Sequence, residues 1–79
     1  MTEIKEVVEY LVKLIVDNTE GVEVVEKTGE QIIIFEVRVD KQDFGKIIGK
    51  HGKNIQAIRT LVNAVSAKAG KRATIEVLE

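Results

Sequence analysis

Seventy-nine residues, 44% of them hydrophobic and 32% charged, make one small globular domain and leave no length for a second. The absence of cysteine excludes disulfides and cysteine-held metals, and a single histidine is no basis for a metal site. A net charge of −1 conceals a division: residues 1–43 carry eleven acids and five bases, whereas residues 44–79 carry seven bases and two acids.

The acidic start, Met1-Thr2-Glu3-Ile4-Lys5-Glu6, lacks the apolar run of a signal peptide or membrane span, so the cytoplasm is the expected location. Ile4, Val7, Val8, Leu11, Val12, Leu14 and Ile15 recur at steps of three and four, which predicts a helix from about Glu3 to Val16. Thr2 is placed to cap it, and Glu3, Glu6 and Glu9 suit its positive end. Tyr10 falls off the apolar stripe, and Asp17-Asn18-Thr19-Glu20-Gly21 breaks the pattern.

Val22–Glu26 and Gln31–Val39 are rich in β-branched residues and flank Lys27-Thr28-Gly29-Glu30, the pattern of a hairpin. Ile33, Phe35, Val37 and Val39 are expected to face the core, with Ile32, Ile34, Glu36 and Arg38 on the other side. Asp40 is a helix cap with an acid, Asp43, three residues on, opening a short helix that ends at Ile48. A longer helix is expected over Lys53–Ala69, with Ile55, Ile58, Leu61, Val62 and Val65 as its apolar stripe and Gly70 as its stop. A last strand, Ala73–Leu78, turns Ala73, Ile75 and Val77 inward. The order is αββααβ. A hairpin is antiparallel, and a strand, two helices and a strand form a right-handed crossover with parallel pairing. The expected architecture is an α+β domain spanning residues 1–79, a three-stranded mixed sheet with helices packed on one face.

Between the two C-terminal helices lies Ile47-Ile48-Gly49-Lys50-His51-Gly52-Lys53-Asn54-Ile55, a basic reversal bounded by glycines. Gly49 and Gly52 permit the unusual angles of a tight turn and let a ligand backbone come close. The helix that follows presents free amides and the positive end of its dipole, the ingredients of an anion site. No Asp or Glu occurs between Phe44 and Ile75, while Lys46, Lys50, Lys53, Arg59, Lys68, Lys71 and Arg72 all lie in that stretch, so a basic patch on an otherwise acidic chain would attract phosphate. A nucleotide-hydrolysing phosphate loop does not fit. It needs four residues between its glycines followed by Lys-Ser/Thr, whereas Gly45 and Gly49 enclose three and Lys50 precedes His51. No enzyme and no cofactor is expected.

A GxxG loop preceded by two isoleucines, followed by Ile55 and set between helices resembles the signature of the KH domain, a single-stranded nucleic-acid binder whose loop grips about four nucleotides. The αββααβ order is similar to the type II, prokaryotic form. Val16-Asp17-Asn18, Glu30, Gly45-Lys46-Ile47-Ile48-Gly49-Lys50, Gly52-Lys53, Ala57-Ile58-Arg59 and Ala69-Gly70-Lys71-Arg72 look like the small single-KH bacterial proteins of the KhpA/YlqC family. The resemblance covers essentially the whole chain, departing at Thr19, where proline is expected, and His51, where glutamine is common. It implies a cytoplasmic single-stranded RNA-binding protein with RNA chaperone or post-transcriptional character, pairing with itself or with a larger Jag-type KH protein. Carried onto this sequence, the RNA-contacting set is Ile48, Gly49, Lys50, His51, Gly52, Lys53, Asn54 and Arg59. Ile48, Ile55 and Ile58 suit a base-lining groove or the core equally, and Phe35 and Phe44 are expected in the core. With so few aromatics, bases would be held by aliphatic contact and hydrogen bonds. Val25, Ile32, Ile34 and Leu78, on the open sheet face, would form the surface of an assembly module.

Overall fold

The structure is a computed structural model that describes residues 2–78. Helix α1 (Thr2–Ile15) leads into strand β1 (Glu23–Thr28) and strand β2 (Ile32–Arg38). Helix α2 (Phe44–Ile48), helix α3 (Lys53–Lys68) and strand β3 (Arg72–Leu78) complete the αββααβ order. The side chain of Thr2, expected to cap α1, lies outside the described residues.

The sheet order is β1-β2-β3, with β1 antiparallel and β3 parallel to the central β2. Register brings Val24 opposite Val37, Ile33 opposite Ala73 and Phe35 opposite Ile75 on the inner face. These side chains are buried, as are Ile4, Val8 and Val12 of α1 and Ile55, Ile58 and Val62 of α3. Helix α1 packs on β1 and α3, and α3 packs on β3, so both long helices cover the same sheet face. The inward set of β2 and Val39 is the expected one, and Phe35 is fully buried while Phe44 is half-buried.

The hairpin closes two residues later than expected. β1 runs on to Thr28, and the turn is Gly29-Glu30-Gln31, joined by the Gly29 amide donating to the Ile32 carbonyl at 2.8 Å. Lys27 therefore belongs to the strand, and its ammonium reaches Glu36 on β2 at 3.1 Å. That diagonal cross-strand pair adds to the ladder what a turn position would forgo.

Two apolar stripes prove narrower than their sequence patterns. Leu14 of α1 is 64% exposed, and Leu61 and Val65 of α3 are 52% and 37% exposed. The inward line of α3 is Ile55, Ile58, Val62 and Ser66, steps of three, four and four, which leaves Leu61 about 100° to one side of Val62. A helix touching both a sheet and a neighbouring helix buries a limited arc, and apolar residues on its flanks stay in solvent.

Ser66 is fully buried and its hydroxyl has no hydrogen-bond partner among the described residues. Its carbonyl is well used, accepting from the amides of Ala69 and Lys71 where Gly70, at φ 75°, ends the helix. An unpaired buried hydroxyl costs more than it returns. Ser66→Ala is accordingly expected to raise the stability by about 0.5–1.5 kcal/mol in urea unfolding, helped by the better helix propensity of alanine. A destabilised variant would mean that the hydroxyl has a partner, such as a buried water, in solution.

Candidate functional site

Helix α2 is five residues long, too short to stand alone, and its position is set from outside. Asp40 caps the single 3-10 turn Lys41–Asp43 that precedes it, accepting from the Gln42 amide at 2.9 Å. The Gln42 amide, and after it the Asn18 side-chain amide, hold the Asp40 carboxyl below its usual pKa. Asp43 does something that its sequence position does not announce. Only 3% exposed, it reaches back to the end of α1 and accepts from the amides of Asp17 at 3.2 Å and Asn18 at 3.0 Å. Lys46 forms an ion pair with Asp17, a hydrogen bond that raises the lysine's pKa. Buried Ile47 fastens the other side of α2 to the core.

The loop begins at Gly49, where φ is 77° and ψ 169°, a conformation that only glycine adopts with ease. Space makes the same demand. A Cβ at Gly49 would stand 2.7 Å from the Asn54 side chain and 2.8 Å from the Asn54 amide nitrogen. The Asn54 side-chain amide in turn donates to the Lys46 carbonyl at 2.7 Å, stitching the end of α2 to the start of α3. Lys50–Gly52 forms a 3-10 turn, closed by the Gly52 amide on the Gly49 carbonyl at 3.0 Å. His51 (φ 59°) and Gly52 (φ 74°) are both left-handed, and His51 is the only non-glycine residue with positive φ among the described residues. Histidine enters this region more readily than most non-glycine residues, and its left-handed angle helps the chain reverse within four residues.

The expected contact residues thus fall into four groups. Lys50, His51 and Lys53 are exposed around the turn, and no ion pair engages either lysine among the described residues. Gly49, Gly52 and Asn54 build the turn, with Asn54 holding it together. Ile48 is half-buried at its rim, whereas Ile55 and Ile58 are core. Arg59 stands apart, about 9 Å along α3 from Lys53. It donates to the Ile75 carbonyl of β3 at 3.2 Å. Its neighbour one turn on, Asn63, accepts from the Ala73 amide at 3.0 Å, so two α3 side chains dress the outer edge of β3. Asp43, Asn54 and Asn63 owe their roles to partners 8 to 26 residues away. No local pattern marks such contacts.

Lys50 and Lys53, without an ion pair among the described residues, and the start of α3 make the surface around Gly49–Gly52 positively polarised, in the chain's basic half. No helix among the described residues is long and apolar enough to cross a membrane.

Comparison with known proteins bears on the family of the fold. The sequence model of the KhpA/KhpB KH domain matches residues 5–77. The RNA-binding protein KhpA of Aquifex aeolicus strain VF5 is 43% identical over 79 residues, all of both chains. Its counterpart in Caldanaerobacter subterraneus subsp. tengcongensis is 48% identical over 73 residues, 92% of this chain and 97% of that one. That of Clostridium perfringens strain 13 is 45% identical over 74 residues, 94% and 99% of the two chains. With matches of this extent and a type II order of elements around a GxxG turn, the chain belongs to the KhpA/KhpB family of KH domains.

Proposed function

We propose that this protein is a non-enzymatic, cytoplasmic RNA-binding module that grips the backbone of single-stranded RNA with the Gly49–Gly52 turn, in the manner of an RNA chaperone or post-transcriptional regulator. The observation that carries the proposal is the left-handed turn at His51 and Gly52, flanked by two lysines that no carboxylate neutralises among the described residues. Its amides and ammonium groups suit phosphates spaced along a flexible strand, and the names of the relatives as RNA-binding proteins agree. Lys50 and Lys53 supply charge, Gly49 and Gly52 permit close approach, and His51 reaches a phosphate or sugar. Arg59, tied to β3, offers its remaining N–H groups beyond the turn.

Affinity for an unstructured oligonucleotide should fall with salt. Three or four phosphates neutralised per domain, at about −0.7 each for a single strand, give a slope of log K against log salt of roughly −2 to −3. Titration at several salt concentrations measures it. A slope near zero, or tighter binding to blunt duplex than to single strand, contradicts the proposal.

A second reading, assembly with another KH protein, is favoured by the exposure of Leu61 and Val65 on α3. The open sheet face is less suited to it, since Val25, Ile32, Leu78 and the half-buried Ile34 are interspersed there with Lys27, Glu36, Arg38 and Arg72. The partner is a second copy or a Jag-type KH protein. Gel filtration of Leu61→Lys beside the unmodified chain, with and without RNA, separates pairing from RNA binding.

A further inference from the structure

The turn carries a titratable ring at its apex. His51, the single histidine of the chain, is exposed and stands at φ 59° on a backbone fixed from both sides, the Gly49 amide donating to the Gly45 carbonyl at 2.9 Å and the Gly52 amide to the Gly49 carbonyl at 3.0 Å. Its ring has no hydrogen-bond partner and no ion pair among the described residues. It is left to solvent and to whatever the turn binds.

The charges around it are of one sign. The turn packs against α2 and α3. Lys50 adjoins His51 and Lys53 opens α3, while Arg59 and Lys68 lie about 9 and 22 Å farther along that helix. α2 contributes Lys46 alone, held by Asp17, and Asp43, the acid nearest in sequence, is engaged by the amides of Asp17 and Asn18. An imidazolium here therefore has no counterion among the described residues, whereas a bound strand brings one. A phosphate favours the charged ring by Coulomb attraction, and that ring offers two N–H donors where the neutral ring offers one. The ordinary pKa of histidine, about 6.5, puts this exchange within the reach of physiological pH. We infer that binding of a single strand at the turn is coupled to uptake of a proton by His51, so that affinity for RNA rises as the medium acidifies, an inference that rests on the RNA-binding proposal. Lys50 and Lys53 supply fixed charge, and His51 makes the grip responsive to pH.

The sign follows from linkage. A complex that holds more protons than its separated parts is favoured by acid, so the gain is complete below the pKa of the free ring and is lost as the pH rises through that of the bound ring. One unit charge about 5 Å from a phosphate in a water-like dielectric is about a fourfold effect, and two phosphates or a partly dehydrated contact bring it to about tenfold. Affinity for a short oligouridine is accordingly expected to rise about four- to tenfold between about pH 8 and about pH 5.5, a window in which neither the phosphodiester nor uracil titrates. His51→Asn, which accepts the left-handed conformation and takes up no proton, is expected to flatten the profile. Calorimetry of the unmodified chain in two buffers of unlike ionisation enthalpy needs no variant, and near neutral pH it should register about a third to a half of a proton taken up per bound domain. A flat profile for the unmodified chain, heats that show no proton uptake, or a pH dependence that survives in His51→Asn overturns the inference. Failure of the RNA proposal itself looks different, because the unmodified chain would then show no salt-dependent binding to the oligonucleotide at any pH.

Discussion

Replacing Lys50 and His51 together by aspartate is expected to lower the affinity for single-stranded RNA roughly hundredfold while leaving the domain folded. The change swings the turn by three charge units, two at Lys50 and one at a neutral His51. A unit charge about 5 Å from a phosphate interacts by about 0.8 kcal/mol in a water-like dielectric, so three units amount to about 2.5 kcal/mol. Each 1.4 kcal/mol is about a factor of ten in affinity. Both side chains are exposed, so neither supports the core. Aspartate also accepts the left-handed conformation of His51 better than most residues. Circular dichroism checks the fold and a binding titration the affinity. A folded variant that binds as before would remove the turn from the RNA site.

Asp43→Ala is expected to cost about 2–4 kcal/mol, because two amides lose their acceptor in a place that water reaches poorly, at about 1–3 kcal/mol for each group left unsatisfied. Against a total stability of about 0.05–0.15 kcal/mol per residue, this is a large fraction for a chain of 79 residues. The loss should also reach the site. Asp43 ties the segment after α1 to the start of α2, and α2 carries Gly49 at its far end. Asp43→Asn, which keeps one acceptor oxygen, should be less severe. Urea unfolding of the two variants measures the series, and a loss below about 0.5 kcal/mol for Asp43→Ala would show that Asp17 and Asn18 are held by something else.

What the sequence alone determined here was carried by short-range physics. Alternation at Ile33, Phe35, Val37 and Val39 requires a strand with one buried face, since successive side chains must point to opposite sides. Repeated steps of four at Ile4, Val8 and Val12 require a helix. Two glycines around Lys50-His51 require a reversal, and the crossover rule makes β3 parallel to β2. The place of the basic turn between two helices follows from those patterns.

Tertiary structure decided the rest. Which of Leu61, Val62, Val65 and Ser66 is buried depends on the angle at which α3 meets α1 and β3, and no periodicity within one helix contains that angle. Asp43 reads as half of a local capping box, yet its carboxylate is satisfied by amides 25 and 26 residues away. Asn54 reads as a ligand-facing polar residue at a helix start, and the Lys46 carbonyl takes its side-chain amide. In each case the hydrogen-bonding or packing partner is remote in sequence, so its identity is fixed only when the chain has closed upon itself.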